Sequence, residues 1–201
     1  ALESRVFNVP GVIAAIVLLT SLLLTAMAIV REREIGTLEQ LMVTPIRPLE
    51  LILGKTLPFV LIAYVNVLLV TAVGVAWFGI PIVGSFALLL AGAALYLMST
   101  VGVGLFISTV SRTQQQALMS SFFFYLPAVL LSGFMFPIAN MPEPAQWVTY
   151  LNPLRYFLEI VWGVFLKDLP PEEILADTIP LALIAVATLG TASWLFRRRM
   201  E

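Results

Sequence analysis

Two residue types much used in catalysis are missing from this sequence, and its charges are gathered into a few places. The 201 residues contain no Cys and no His. That excludes disulfides, thiolate nucleophiles, the usual zinc sites and imidazole acid–base catalysis. The densest polar stretch in the first half is Arg31 to Pro48, reading RERE-IGTLEQLMVTPIRP. Within it Ile35, Leu38, Leu41 and Met42 recur at three- and four-residue steps, the spacing of an apolar stripe on a helix over Arg31–Val43. Glu32, Glu34, Glu39 and Arg47 set charge around that stripe. The chemistry open to such a pattern is recognition. An apolar face in a polar frame can lie on lipid headgroups or dock on a soluble protein, and the residues alone leave both alternatives open. Thr44-Pro45 and Arg47-Pro48 end the helix, because a residue before proline avoids the α region.

Two other patterns invite a chemical reading. Gly54-Lys55-Thr56 has the ending of a phosphate-binding loop, but Leu49 stands where that motif needs its first glycine, and no strand precedes it. Lys55 reads instead as a basic anchor at the membrane interface. Arg155 and Glu159 are four residues apart, so they can pair on one helix face.

The elements that carry these residues are greasy. The chain is 60% hydrophobic and 11% charged, with a mean hydropathy of +1.00. Soluble domains are about 45–50% apolar and about 25% charged, so the solvent implied here is a lipid bilayer. Five apolar runs approach the ~20 residues that cross the hydrocarbon core, at about 11–30, 57–79, 85–108, 117–137 and 178–196. Pro58 suits the first turn of the second span, and Thr178 with Pro180 suits the start of the last. Asn66 should bond to a neighbouring helix, an interaction of about 0.5–2 kcal/mol in a bilayer. The third run carries Gly92, Ala93, Ala94, Ser99, Gly102 and Gly104, a face for close helix packing. Pro127 should kink the fourth. SRTQQQ at 111–116 reads as a polar loop.

Residues 138–177 depart from this pattern. A polar, proline-rich start leads to Trp147, Tyr150 and Asn152-Pro153, and then to an apolar helix over Pro153–Leu166 that is too short to span. Bordering aromatics mark a membrane–water interface, so a re-entrant or interfacial helical hairpin is expected, followed by a solvated loop over Lys167–Asp177.

No span contains Asp, Glu, Lys, Arg or His. Proton-coupled pumps and intramembrane proteases are excluded by that, and sodium coupling through backbone carbonyls less firmly. If this protein moves something uphill, the energy comes from another chain. Arg31, Arg33, Arg47, Lys55, Arg112 and Arg197–Arg199 share one side and make eight of the eleven basic residues. The positive-inside rule puts that side and the C-terminus in the cytoplasm. The start then lies outside, which leads to the expectation of a preceding span and an external domain.

The segment REREIGTLEQLMVTPIRPLELILGKTLPF resembles the first cytoplasmic region of the type-2 ABC exporter permeases. The shared pattern is an Arg-Glu-rich start, Gly-Thr-(Leu/Ile)-Glu-Gln-Leu, a Thr-Pro, and a Gly-Lys before the next span. SGFMFPIANMP and Leu151-Asn152-Pro153 with its aromatic helix also resemble that family, and the likeness covers nearly the whole chain. It implies an all-α polytopic permease of the bacterial inner membrane, with five of six spans present here. It further implies a cytoplasmic coupling helix within 31–50 and an extracytoplasmic re-entrant region over 131–168. A second permease subunit and two ATP-binding-cassette subunits are the implied partners. ATP and Mg would be held by those subunits, with no cofactor, metal or nucleic acid bound by this chain. On that reading Glu32, Glu34, Ile35, Leu38, Glu39, Leu41, Met42 and Arg47 meet the ATPase. ATP binding pushes there and tilts the first two spans, and Asn66, Ser120, Ser121 and Tyr125 are candidates for the translocation path. The rival reading is a non-transporting membrane scaffold that recruits a soluble protein through the same helix.

Overall fold

The computed structural model describes residues 2–36, 48–79, 84–167 and 171–200. The described residues form helices and turns without a strand. In chain order they are α1 (Leu2–Ile35), α2 (Pro48–Phe78), α3 (Phe86–Val110), α4 (Gln114–Leu130), α5 (Glu143–Thr149), α6 (Pro153–Trp162) and α7 (Pro171–Met200). A short 3-10 turn, Ile138–Asn140, precedes α5, and a π turn, Gly163–Lys167, follows α6.

Four of these helices are long and apolar enough to cross a membrane, over Asn8–Ile35, Thr56–Trp77, Phe86–Val110 and Leu175–Arg198. The stretch expected as a further full span, 117–137, is shorter. α4 has 17 residues, about 25 Å of helix against a hydrocarbon core of about 30 Å. Pro127 does not end it, since the Leu131 N–H still reaches Pro127 O at 2.8 Å. The stop comes at Ser132, whose Oγ donates to Val129 O at 2.7 Å and accepts the Phe134 N–H at 3.2 Å. Gly133 then turns the chain at φ +89°, a backbone state that glycine adopts without steric cost.

Other boundaries also move. α1 begins at Leu2 rather than Gly11 and takes in Arg31–Ile35 as its last turn. Gly36 stops it at φ +82°, its N–H donating to Arg33 O at 3.3 Å. This is the left-handed glycine that ends many helices. The stripe expected over Arg31–Val43 is therefore interrupted after Ile35. Leu38, Glu39, Leu41, Met42 and Arg47 lie outside the described residues. α2 opens on Pro48, a position where a missing N–H costs nothing, so Pro58 is interior and not in the first turn. α7 opens on Pro171, which makes Thr178 interior rather than a cap and makes 171–177 helical rather than loop.

α3 is the centre of the bundle, packed along α7 on one side and α1 on another. Its small residues make this possible, and Gly92, Ala93, Ser99, Gly102 and Gly104 are all buried. A Cβ at Gly102 would stand 2.8 Å from Leu189 N, and one at Gly104 would stand 2.7 Å from Thr25 Cβ. Backbones come this close only where a side chain is missing. Polar side chains then stitch the helices. Ser21 Oγ donates to Thr100 Oγ1 at 3.0 Å, Tyr96 OH to Ala14 O at 3.2 Å, and Thr188 Oγ1 to Ser99 O at 3.3 Å.

α6 is buried within the helical bundle. Leu154, Phe157, Leu158 and Ile160 are each no more than 1% exposed, and the helix packs on α1, α3 and α7. The Phe157 ring stacks on Tyr96 with centroids 4.2 Å apart and planes 7° apart. Asn152 holds the entrance to α6, accepting the Leu154 N–H at 3.1 Å and donating to Ala128 O of α4 at 2.7 Å. Of the aromatics expected to border it, Trp147 and Tyr150 are exposed, whereas Tyr156 and Trp162 are buried on α6 itself.

Candidate functional site

The last turn of α1 meets the turn between α3 and α4, and the sequence explains why the two fit. α3 ends at Val110, leaving C-terminal carbonyls without helical partners, and α4 begins at Gln114 with free amides. Thr113 caps α4 by accepting the Gln116 N–H at 3.2 Å, while Gln116 Oε1 accepts the Arg112 N–H at 2.9 Å. This is a near relative of the Thr-x-x-Gln capping box, and it corrects the reading of SRTQQQ as loop up to residue 116.

Arg33 and Glu34 take up the groups that remain. Arg33 Nη1 donates to Thr109 O at 3.1 Å and to Ser111 O at 2.9 Å. Glu34 Oε2 accepts from Gln114 N at 3.1 Å and from Gln114 Nε2 at 2.9 Å. A cation thus sits at the C-terminus of α3 and an anion at the N-terminus of α4, each matching the sign of the helix end it faces. One turn earlier, Ser108 Oγ accepts the backbone N–H groups of Ile29 and Val30, both at 3.1 Å. At least six hydrogen bonds therefore join residues 29–34 of α1 to residues 108–114. The arrangement moves no proton and breaks no bond. Its chemistry is mechanical attachment at the point where the chain leaves α1 for the Arg31–Pro48 stretch.

Residues 2–166 match the family model for the ABC-2 type transporter. The chain belongs to the ABC-2 type transporter family. Among similar proteins of Escherichia coli K12 are the probable multidrug ABC transporter permeases YbhR, 38% identical over 200 residues, and YbhS, 36% identical over 202. The alignments cover 99% and 98% of this chain and 54% and 53% of those proteins. The inner membrane transport permease YhhJ of the same organism is 32% identical over 195 residues, covering 94% of this chain and 51% of that protein. The chain spans about half the length of these curated relatives.

Within this ABC-2 type chain the expected site residues separate. Ile35 is 63% exposed at the end of α1, while the Glu34 carboxylate is engaged by Gln114. Glu32 is half-buried on the same turn. Asn66 Nδ2 donates to Thr20 Oγ1 of α1 at 3.1 Å, the neighbouring-helix bond its position called for. Ser121 is buried and turns its Oγ back to Ala117 O at 2.8 Å. Tyr125 meets Phe122 edge to face, and Ser120 is half-buried. Asn66 thus faces α1 from α2, whereas Ser120, Ser121 and Tyr125 lie on α4. An apolar groove of about 350 Å³ lies between α1 and α2, bordered by Val12, Ile16, Val70 and Val73, and contains none of the four. Arg155 does not pair with Glu159 among the described residues. It bonds to Thr149 Oγ1 and lies over the Tyr150 ring, 4.4 Å from its centroid. A guanidinium above an aromatic face gains from the ring quadrupole, which explains the choice.

The seam of Ser108, Ser111 and Gln114 escapes a sequence reading because half of its partners are backbone groups. The Thr113-x-x-Gln116 spacing is the one available signal.

Proposed function

We propose that this chain is the membrane-spanning permease part of an ATP-driven exporter. ATP hydrolysis is supplied by a separate ATP-binding-cassette subunit that docks on the segment between α1 and α2. The observation that carries this reading is the family membership together with the seam. The segment that follows Ile35 springs from a helix end fastened to two further helices, the attachment a mechanical input requires. The basic residues Arg31, Arg33, Arg112 and Arg197 lie at the ends of α1, α3 and α7 that this topology brings together, which supports a cytoplasmic location for that end and for the C-terminus in a bacterial inner membrane. Ile35, Leu38, Leu41 and Met42 form the apolar contact with the ATPase, with Glu32, Glu39 and Arg47 around it. A second permease copy completes the transporter, and the cargo is a drug-like, lipid-like or glycan-like molecule.

The test is a pull-down of the full-length permease from native membranes in mild detergent, with an ATPase assay of the eluate. The expected result is a co-eluting ATPase whose rate depends on the permease and which is absent from Leu38→Asp and Leu41→Asp preparations of normal thermal stability. Normal co-elution with both variants would overturn the docking assignment.

A further inference from the structure

The seam says more than where a partner docks. It says what moves when the partner pushes. Resting on the docking reading above, we propose that the last turn of α1 and the α3–α4 turn form a single rigid body. A displacement arriving through the Arg31–Pro48 stretch is then delivered to α3 and α4 together with α1. Arg33 and Glu34 are the positioning residues of this unit. The family resemblance implies a tilt of the first two spans, α1 and α2, whereas the bonds point across to the third and fourth helices.

Three observations carry the proposal. First, the attachment is spread over two helical turns. Ser108 holds Ile29 and Val30, and Arg33 and Glu34 hold Thr109, Ser111 and Gln114. A hinge between the bodies would have to break several bonds at once. Second, neither Arg33 nor Glu34 bridges by a single contact. Each makes two, which fixes direction as well as distance. Third, the next layer is apolar and buried. Leu22, Ala26, Val30, Ile107 and Ala117 form one buried cluster across α1, α3 and α4. Close-packed interiors of this kind transmit displacement rather than absorb it.

The experiment uses the full-length permease with its ATPase, reconstituted in lipid. The 201 residues contain no cysteine, so within them Glu34→Cys and Gln114→Cys are the only thiols, and, with any cysteine elsewhere in the full-length protein and the ATPase replaced, they are joined by a short, reducible bis-methanethiosulfonate linker. Two quantities are read, the permease-dependent ATPase rate and the change in hydrogen exchange of residues 114–130 on trapping with ATP and vanadate. With the thiols free, the expected result is a loss of the nucleotide-dependent exchange change in α4 and a fall of at least about fivefold in the permease-dependent rate, within the usual range of coupling between sites. With the linker in place both recover. Gln114→Ala keeps its backbone N–H bond to Glu34 and gives a partial loss. Inactivity that persists with the linker in place means that the two parts slide past each other during turnover, and the proposal fails. It fails equally if the unlinked pair behaves as the unmodified protein, if the linker does not join the two positions, or if the ATPase subunit no longer co-elutes in either state, which assigns Glu34 to the partner's surface. Absence of any ATPase from the unmodified permease is a separate result and overturns the docking reading instead.

Discussion

Replacing Gly102 with alanine tests whether absent side chains set the approach of α3 to α7. The Cβ would lie 2.5 Å from Thr188 Oγ1, 2.8 Å from Thr188 C and 2.8 Å from Leu189 N. Two of these three are backbone atoms, so no rotamer change clears them. Restoring ordinary contact of about 3.5 Å requires the helices to part by roughly 0.7 Å. The Thr188–Ser99 bond at 3.3 Å and the Ser99 Oγ to Leu181 O bond at 3.4 Å are already long. Both break on that movement, at about 0.6 kcal/mol each in a bilayer. Overpacking adds about 1–3 kcal/mol, and the better helix propensity of alanine returns about 1 kcal/mol. Gly102→Ala therefore destabilises by about 1–3 kcal/mol. The matched control is Gly190→Ala on α7, where a Cβ meets nothing within 4 Å. That change stabilises by up to about 1 kcal/mol. Both are measured by reversible unfolding of the full-length permease in mixed micelles with increasing SDS. Equal stability of the two variants would refute the argument that Gly102 is held by contact.

Asn152→Ala removes the cap of α6 and leaves Ala128 O without its donor. The expected loss is about 1 kcal/mol for the cap and about 1–3 kcal/mol for the stranded carbonyl. A lower melting midpoint and faster proteolysis between 131 and 152 check it, and an unchanged midpoint counts against the capping role. Asn66→Leu removes the bond to Thr20 and lowers stability by about 0.5–2 kcal/mol. Its substrate-stimulated ATPase profile stays that of the unmodified permease, whereas a shifted profile at normal stability would place Asn66 in the translocation path.

Spanning helices were legible in this sequence because hydropathy reports them directly, and the packing face of α3 was legible because Gly92, Gly102 and Gly104 have no other use at that spacing. The length of α4 was not. Leu131, Phe134, Met135 and Phe136 keep the hydropathy high beyond Leu130, while the stop depends on one hydroxyl, Ser132, bonding to its own backbone. The burial of α6 was hidden for a related reason. In a membrane protein the surface facing lipid and the surface facing protein are equally apolar, so Leu154–Trp162 could not reveal which it faced. The seam was hidden because a Ser, an Arg and a Glu near a helix end look like ordinary surface chemistry until the carbonyls of Thr109 and Ser111 come within reach. The break at Gly36 was written in the sequence, but the apolar spacing on either side of it reads straight through.

The stacked pair of Tyr96 and Phe157 also bears on what the membrane keeps. With α6 wedged among α1, α3 and α7, side chains of the large buried cluster fill the space between these helices among the described residues. A membrane that stores energy as an ion gradient loses it through any standing aqueous thread. Helices filled between in this way leave little room for such a thread at the level of the Tyr96–Phe157 pair.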